Sequence, residues 1–166
     1  MQALHELRTQ IISPMTDELK TDKEEDADEL FQQHIEAQCR RLRTLGFTGT
    51  PIIRGNLSAM DKSLLPTLQT VCTEILNNIA KHGKPGAFAF ILSVGPDAVR
   101  IFASNLYNAA INSAPENHYG TALIQDFAQQ HNGTMTINSE NEEWSLSLTI
   151  PLAHQVKLMF SPTEKL

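Results

Sequence analysis

The sequence is poor in cysteine, aromatic residues and positive charge, and it has no long apolar run. Its 166 residues include two cysteines, one tryptophan and two tyrosines, and the formal net charge is -6. This negative balance argues against non-specific binding to nucleic acid or to membrane surfaces, because both require a basic field. No apolar run approaches the roughly 20 residues that span a bilayer, and the amino terminus is not that of a signal peptide.

The few cysteines and the scattered histidines argue against a metal site built from Cys and His ligands. Cys39 and Cys72 each lie in a helical apolar pattern, so we interpret both as reduced core residues of a cytosolic protein rather than as a disulfide or a metal pair. The six histidines show no metal-ligand spacing. Apolar residues make up 41% of the chain, which is enough for a core, and the length fits one domain or one domain with a short appendage.

The first part of the chain predicts two helices with a charged stretch between them. Residues 2–20 carry an apolar stripe that is typical of a helix. Residues 21–29 are rich in Asp, Glu and Lys and are interpreted as a solvated loop or helix start. Asp26 or Asp28 would cap the second helix, which runs to about Leu45. Gly46 follows at the position where a helix C-terminal glycine belongs.

A long amphipathic helix is predicted next. Asp61 or Ser63 would cap it, and residues 84–86 (Lys-Pro-Gly) would end it. Its apolar residues recur at three- and four-residue steps: Leu64, Leu65, Leu68, Val71, Cys72, Ile75, Leu76 and Ile79.

The remaining pattern predicts five strands, a lid and one more helix. The strands are expected at residues 51–55, 87–94, 98–104, 134–139 and 144–152, and the helix at 120–130. Pro51 places the first strand at a sheet edge. Residues 105–119 have no clear period, and so long a loop is often a functional lid. The order predicts an α+β two-layer sandwich, with a mixed sheet covered by helices on one face and preceded by a helical segment.

One face of the long helix carries polar residues that could perform chemistry. Glu74, Asn78 and Lys81 are spaced four and three residues apart and share that face, and His82 flanks it. A carboxylate, a carboxamide and a cation together can provide a base, a ligand for a hard metal ion and a partner for phosphate. The alternative is a solvated polar face on a core helix.

Four segments follow one another in the order of a known family. They span residues 74–83, 99–105, 118–133 and 137–152. In that order they resemble the N box, the strand before the first glycine box, the second glycine box with its helix, and the closing hairpin of an ATP-binding catalytic domain. This domain belongs to two-component sensor histidine kinases, within the GHKL superfamily that has the Bergerat fold. The resemblance covers about residues 50–152.

The resemblance also suggests how the chain is divided. Residues 1–46 resemble the linker that follows the two-helix dimerisation hairpin in kinases of the nitrate-sensor and hexose-phosphate-sensor type. Residues 47–152 would form the ATP-binding domain, and residues 153–166 a C-terminal tail. The phosphoacceptor motif of the hairpin is missing, and we interpret His5 as a surface residue.

The family resemblance implies that Mg²⁺ and ATP bind between the long helix and the sheet, under the lid. Asn78 would give its side-chain oxygen to Mg²⁺. Glu74 would activate a nucleophile or orient a metal-bound water. Lys81 or His82 would neutralise phosphate charge.

The other implied contacts lie at the end of a strand and at the start of a helix. Backbone N–H groups at that helix start would bind phosphate. The implied nucleotide-binding residues outside the long helix are Asn105, Tyr119, Gly120, Thr121 and Ala122.

The implied partners are ATP, a dimerisation domain that carries the phosphoacceptor histidine, and the receiver domain of a response regulator. Neither nucleic acid nor direct membrane contact is expected. The implied location is the cytoplasm, or the cytoplasmic part of a membrane-bound sensor. Catalysis would require joining to the dimerisation domain, so the isolated domain is expected to be inactive.

The sequence departs from the family pattern in both glycine boxes. Asn105 stands where the family has an Asp that accepts a hydrogen bond from adenine, and no glycine occurs in residues 106–109. His118 stands where a glycine of the second box is expected, and Thr121 replaces the usual Leu. Two alternatives therefore stay open. One is a degenerate, nucleotide-free docking or phosphotransfer scaffold; the other is a serine kinase of the anti-sigma-factor type, although residues 1–46 count against it.

Overall fold

The computed structural model describes residues 16–107 and 119–152. Predictions for residues 1–15, for residues 108–118 of the lid and for the tail after Leu152 lie outside this part of the chain. No helix within it is long and apolar enough to cross a membrane. In chain order the elements are α1 (Thr16–Thr44), β1 (Pro51–Gly55), a 3₁₀ turn (Leu57–Ala59), α2 (Leu64–His82), β2 (Gly83–Val94), β3 (Ala98–Tyr107), α3 (Tyr119–Gln130), β4 (Thr134–Glu140) and β5 (Glu143–Pro151).

The strands form one mixed sheet in the order β1-β2-β3-β5-β4. β1 is parallel to β2, and each other neighbouring pair is antiparallel. The parallel pair arises because the chain leaves β1, crosses through α2 and returns in β2. The predicted α+β class and the mixed sheet are therefore confirmed. β1 lies at the edge of the sheet, where Pro51 is tolerated because an edge strand can lack a ladder donor.

One face of the sheet carries the hydrophobic core. Leu92, Ile101 and Leu148 lie opposite one another on neighbouring strands and are buried. Phe102, whose side chain points to the other face, is 39% exposed. Buried residues of β2, β3 and β5 and of α1, α2 and α3 belong to one cluster. The helices therefore cover the face that Leu92 occupies, as predicted.

α2 follows its predicted pattern closely. Its buried apolar residues are Leu68, Val71, Cys72, Ile75, Leu76 and Ile79. At its start, Oδ1 of Asp61 accepts a hydrogen bond of 3.0 Å from the backbone N–H of Ser63. The side chain of Ser63 itself makes no capping hydrogen bond. Asp61 is thus the residue whose side chain organises this helix start.

The prediction of a solvated loop or helix start at residues 21–29 is wrong. These residues lie inside α1, so Asp26 and Asp28 do not cap a second helix. The stretch from Thr16 to Thr44 contains neither Gly nor Pro and is rich in good helix formers, so a helix that has begun continues through it. A hydrogen bond of 3.2 Å from Gln33 to Glu29 supports one turn of this segment.

The end of α1 is set by Gly46, as predicted. Gly46 has a φ of +95°, and its N–H donates to the carbonyl of Arg43 at 3.1 Å. The N–H of Phe47 donates to the carbonyl of Leu42 at 3.1 Å, which completes a Schellman motif. Both Leu42 and Phe47 are buried, so the turn also brings the chain back into the core.

The junction between α2 and β2 differs from the prediction. α2 ends at His82 and β2 begins at Gly83, so residues 84–86 lie in the strand rather than in a loop. The pairing of β2 with β3 is irregular between Gly83 and Phe88. This irregularity accommodates Pro85, which has no N–H to donate to the sheet. Gly83 pairs with Tyr107, so residues 105–107 of the predicted lid belong to β3.

α3 and the β4–β5 hairpin match their predictions within a few residues. α3 begins at Tyr119, the last residue of the predicted lid, and ends at Gln130, shortly before Asn132, which has a left-handed φ of +57°. β4 and β5 are joined by a two-residue turn. Its central residues, Asn141 and Glu142, have φ values of +54° and +63°, as a type I′ turn requires.

Candidate functional site

The predicted polar face of α2 is only partly solvent-accessible. Asn78 is 8% exposed, although it is a polar residue. Glu74 and His82 are half-buried, and Lys81 is exposed. The alternative of an ordinary solvated face therefore does not describe Asn78, whose side chain lies largely inside the domain.

Asn78 contains a buried donor without a hydrogen-bond acceptor. Its Nδ2 atom has no hydrogen-bond partner among the residues that the structure describes. Such a group costs about 1–3 kcal/mol in folding free energy. A buried amide of this kind is suited to a ligand that completes its hydrogen bonds, and its oxygen is a type of atom that Mg²⁺ accepts as a ligand.

The neighbouring asparagine has a different role. Oδ1 of Asn77 accepts a hydrogen bond of 2.9 Å from Nη2 of Arg41 on α1. Asn77 is therefore a link between two helices. Of the two consecutive asparagines, Asn78 is the one whose amide nitrogen is buried without a hydrogen-bond partner in the described part of the chain.

Asn105 occupies the far end of β3 and is 4% exposed. Its Nδ2 donates a hydrogen bond of 2.8 Å to the carbonyl oxygen of Leu106. It lies between Phe88 on β2 and Trp144 on β5. Because the amino group is directed to a backbone carbonyl, the group that this amide can offer to a ligand is its oxygen, an acceptor.

The fold brings Asn105 close to the end of α2. Gly83 directly follows α2 and pairs with Tyr107, two residues beyond Asn105. Lys81 and His82, the polar residues at the end of α2, therefore directly precede β2, and β2 lies beside the end of β3. These residues are far apart in sequence, and their approach depends on the β2–β3 pairing.

The third predicted element of the site is the start of α3. Tyr119 and Gly120 form its first positions, followed by Thr121, which is half-buried, and Ala122, which is exposed. The first N–H groups of a helix have no intrahelical acceptor, and together with the helix dipole they favour an anion. The geometry at this end is therefore compatible with phosphate.

A cavity of about 490 Å³ between α2 and α3 does not coincide with the predicted site. It lies along the first half of α2, at Pro66, Thr67, Thr70 and Val71, rather than at Glu74 or Asn78. From α3 it is lined by Leu123, Asp126, Phe127 and Gln130.

The donor set is compatible with Mg²⁺ only if the nucleotide and water supply most of the ligands. No group of three or more His, Cys, Asp and Glu side chains suited to a metal occurs within the described residues. Mg²⁺ usually keeps several waters and takes one or two protein ligands together with phosphate oxygens. Asn78 can supply one such ligand, so the residues present fit a metal that arrives with a nucleotide.

Two residues near Asn105 were absent from the predicted site. A side chain at Gly83 would contact both Nδ2 of Asn105 and the ring of Phe47. In the sequence, Gly83 stands out only as the last residue of the segment that resembles the N box. Phe47 carried no local signal, because its position beside Asn105 results from the turn after α1 and from the sheet pairing.

Comparison with solved structures identifies the class of fold. The nucleotide-free catalytic domain of histidine kinase ThkA superposes with a TM-score of 0.55 at 11% identity, covering 75% of this chain and 93% of that domain. The blue-light activated histidine kinase EL346 of Erythrobacter litoralis gives a TM-score of 0.56 at 12% identity, covering 86% of this chain and 51% of that protein. Histidine kinase AdeS of Acinetobacter baumannii gives 0.56 at 11% identity, covering 77% and 64%.

The chain thus has the fold of histidine kinase catalytic domains. At 11–12% identity, these three comparisons establish the fold alone. No protein-family model matches the sequence, and no curated protein matches it.

Proposed function

We propose that this chain is the ATP-binding catalytic domain of a sensor histidine kinase. The observation that carries the proposal is the amide of Asn78. It is buried on the helix that resembles the N box, and its nitrogen has no hydrogen-bond partner in the described residues. A domain pays the cost of a buried unpaired group most readily where a ligand completes its hydrogen bonds.

In this proposal the residues of α2 serve the phosphate end of the nucleotide. Asn78 would hold Mg²⁺ through Oδ1 and would donate from Nδ2 to a phosphate oxygen, which would complete the hydrogen bonds of the amide. The bound ion would neutralise phosphate charge. Glu74 lies one turn earlier on the same face, and it accepts a proton from a nucleophile or orients a water molecule. Lys81 or His82 would neutralise phosphate charge. Phosphoryl transfer depends mainly on such positioning and charge neutralisation.

Asn105 would contact the adenine base, and the start of α3 would contact the phosphates. With its amino group directed to the carbonyl of Leu106, Asn105 offers Oδ1 to the exocyclic amino group of adenine. The first turn of α3, from Tyr119 to Ala122, offers backbone N–H groups to the phosphates. The base and the phosphates would then contact different elements of the fold.

The partners follow from the same proposal. Phosphoryl transfer would go to a histidine on a dimerisation domain and then to the receiver domain of a response regulator. The resemblance of residues 1–46 to a linker supports a kinase of the nitrate-sensor or hexose-phosphate-sensor type.

Nucleotide titration tests the proposal directly. We expect ATP, ADP and a non-hydrolysable ATP analogue to raise the melting temperature and to give saturable heats in isothermal titration. Mg²⁺ should strengthen the binding. Absence of binding up to millimolar nucleotide, with and without Mg²⁺, would overturn the proposal.

A nucleotide-free docking scaffold is the second candidate, and the first glycine box favours it. Residues 106–109 contain no glycine, and the uncharged amide of Asn105 replaces the family's carboxylate. A chain that binds a receiver domain or a dimerisation domain, but gives no heat with any nucleotide, would support this candidate over the kinase.

A further inference from the structure

The backbone of Gly83 lies directly against the amide of Asn105. A Cβ atom at position 83 would be 2.5 Å from Nδ2 of Asn105 and 2.9 Å from Cε1 of Phe47. It would also meet the carbonyl oxygen of Ile79. Separations this short do not occur between a real Cβ and its neighbours, so a side chain here requires something to move.

The need for glycine at position 83 is one of space rather than of backbone conformation. Gly83 has a φ of -75° and a ψ of 155°, which any residue can adopt. The local packing therefore requires that position 83 has no Cβ atom. The atom closest to that space, apart from the helix carbonyl, is the amide nitrogen of Asn105.

The hydrogen bond to Leu106 sets which end of the amide faces a ligand, and the space at Gly83 lets the amide lie in that position. Nδ2 is placed between Gly83 and the carbonyl of Leu106, to which it donates at 2.8 Å. In a planar carboxamide the oxygen is bonded to the same Cγ in a different direction, so it does not face the carbonyl of Leu106. A reversed amide would place an oxygen against the carbonyl of Leu106, and two acceptors would then face each other.

We propose that Gly83 is a positioning residue that holds the amide of Asn105 with its oxygen available as an acceptor. This inference deepens the proposed nucleotide function and rests on it. The base site should then favour a ligand that carries a hydrogen-bond donor, such as the 6-amino group of adenine. It should discriminate against a purine that lacks this group.

The test compares the affinity for ATP with that for purine riboside triphosphate, which lacks the 6-amino group. In the wild-type chain we expect ATP to bind roughly two- to tenfold more tightly, as one net hydrogen bond provides. In Gly83→Ala the displaced amide should reduce this ratio to about one. Both affinities are measured by isothermal titration in the presence of Mg²⁺.

The matched control is Gly133→Ala. Gly133 also lies where a helix passes into a strand, and a Cβ there would be 2.5 Å from Cδ1 of Ile150 and would meet the carbonyl oxygen of Thr149. The control therefore introduces a similar clash far from the amide. It should lower stability yet keep the wild-type ratio. The positioning role would be overturned if Gly83→Ala kept the wild-type ratio of the two nucleotide affinities. It would also be overturned if Gly133→Ala reduced that ratio as much as Gly83→Ala does.

A double-mutant cycle separates this inference from the proposed function, because it needs no nucleotide. The urea midpoint is measured for Gly83→Ala, for Asn105→Ala and for the double variant. If Gly83 makes room for the amide, the added methyl group should lower the midpoint less when the amide is absent. The inference would be overturned if Gly83→Ala lowered the urea midpoint equally in the wild-type chain and in Asn105→Ala. Failure of the wild-type chain to bind either nucleotide would instead overturn the proposed function and the base preference with it.

Discussion

His34 on α1 and Thr73 on α2 share a hydrogen bond of 2.8 Å between Nε2 and Oγ1. The hydroxyl of Thr73 also donates to the carbonyl of Gln69 at 2.8 Å. Since a hydroxyl has one hydrogen, Nε2 of His34 must be the donor in the first bond. Together with the bond from Arg41 to Asn77, this contact ties α1 to α2 along the helical layer.

The tie between these helices leads to a first prediction, on the role of α1 in stability. Leu42 is 1% exposed and belongs to the same core as the sheet, whereas Leu30 on the same helix is 63% exposed. We expect Leu42→Ala to lower the free energy of unfolding by about 2–5 kcal/mol. Leu30→Ala should change it by less than about 0.5 kcal/mol. Urea denaturation measures both.

Leu30→Ala is the matched control, because it makes the same chemical change on the same helix. An equally small effect for both variants would show that α1 contributes little to the fold and acts only as a linker. The division of the chain at residue 46 stays a prediction.

The second prediction concerns strain in the β4–β5 turn. Glu142 has a φ of +63°, a conformation that L-residues other than Asn and Asp rarely adopt. We expect Glu142→Gly to raise the free energy of unfolding by about 0.5–1 kcal/mol, because Asn-Gly is the preferred pair in a type I′ turn. Thermal unfolding measures the change. The control is Glu140→Gly, inside β4, which should lower the free energy of unfolding. A lower melting temperature for Glu142→Gly than for the wild-type chain would contradict the prediction.

The third prediction concerns pH and the two buried thiols. Burial, with a smaller contribution from the carboxylate of Glu36, raises the pKa of Cys39 to about 11, although Arg43 acts in the opposite direction. Burial also raises the pKa of Cys72 strongly. Because both pKa values are higher in the folded chain, the thiols contribute full stability below the unfolded pKa of about 8.5 and lose it above.

We therefore expect the free energy of unfolding, measured by urea denaturation, to fall between pH 8 and pH 10 by about 1–2 kcal/mol per thiol. The control is the double variant Cys39→Ala with Cys72→Ala, whose stability should decrease less steeply over the same range. Equal slopes in the two proteins would show that the thiols do not control this dependence. Native thiols should also react slowly with iodoacetamide at pH 8 and quickly after unfolding.

Local patterns in the sequence predicted most of the fold. The apolar periodicity of α2 and the alternation in β3 and β5 each reflect burial against one neighbouring layer, and such burial leaves a regular signal. The turn at Gly46 was predictable because a left-handed C-terminal residue favours glycine. The charged stretch before residue 30 was misassigned because Asp suggests a cap, whereas here the helix had already begun.

The site was less predictable than the fold. The spacing of Glu74 and Asn78 placed them on one helix face, but the burial of Asn78 depends on how α2 packs and has no signature in spacing. The contact between Gly83 and Asn105 joins residues 22 positions apart. It arises from the β2–β3 register, which local patterns do not specify.

The fourth prediction concerns Asn105→Asp. In the wild-type chain Nδ2 donates to the carbonyl of Leu106, and a carboxylate would place a second acceptor there. We expect the ligand-free variant to be about 1–3 kcal/mol less stable at pH 7. This loss should shrink as the pH falls, because burial and the nearby carbonyl raise the pKa of the new carboxyl above its unfolded value.

Nucleotide affinity is a separate measurement on the same variant. If Asn105 meets adenine, the added charge should strengthen ATP binding despite the loss of stability, because a carboxylate accepts a hydrogen bond more strongly than a neutral amide. Isothermal titration decides this. An unchanged affinity for ATP would indicate that the base pocket is not used, and a pH-independent stability loss would contradict the electrostatic explanation.

The last prediction concerns Asn78→Ala. The substitution removes a buried donor that has no partner in the described residues, so it should not destabilise the ligand-free chain by more than about 1 kcal/mol. If Asn78 holds Mg²⁺, the same change should abolish the part of the nucleotide affinity that depends on Mg²⁺. Asn77→Ala is the matched control: it should weaken the contact with Arg41 but keep Mg²⁺-dependent affinity. Isothermal titration with and without Mg²⁺ measures both variants, and unchanged affinity in Asn78→Ala would show that the assigned metal role is wrong.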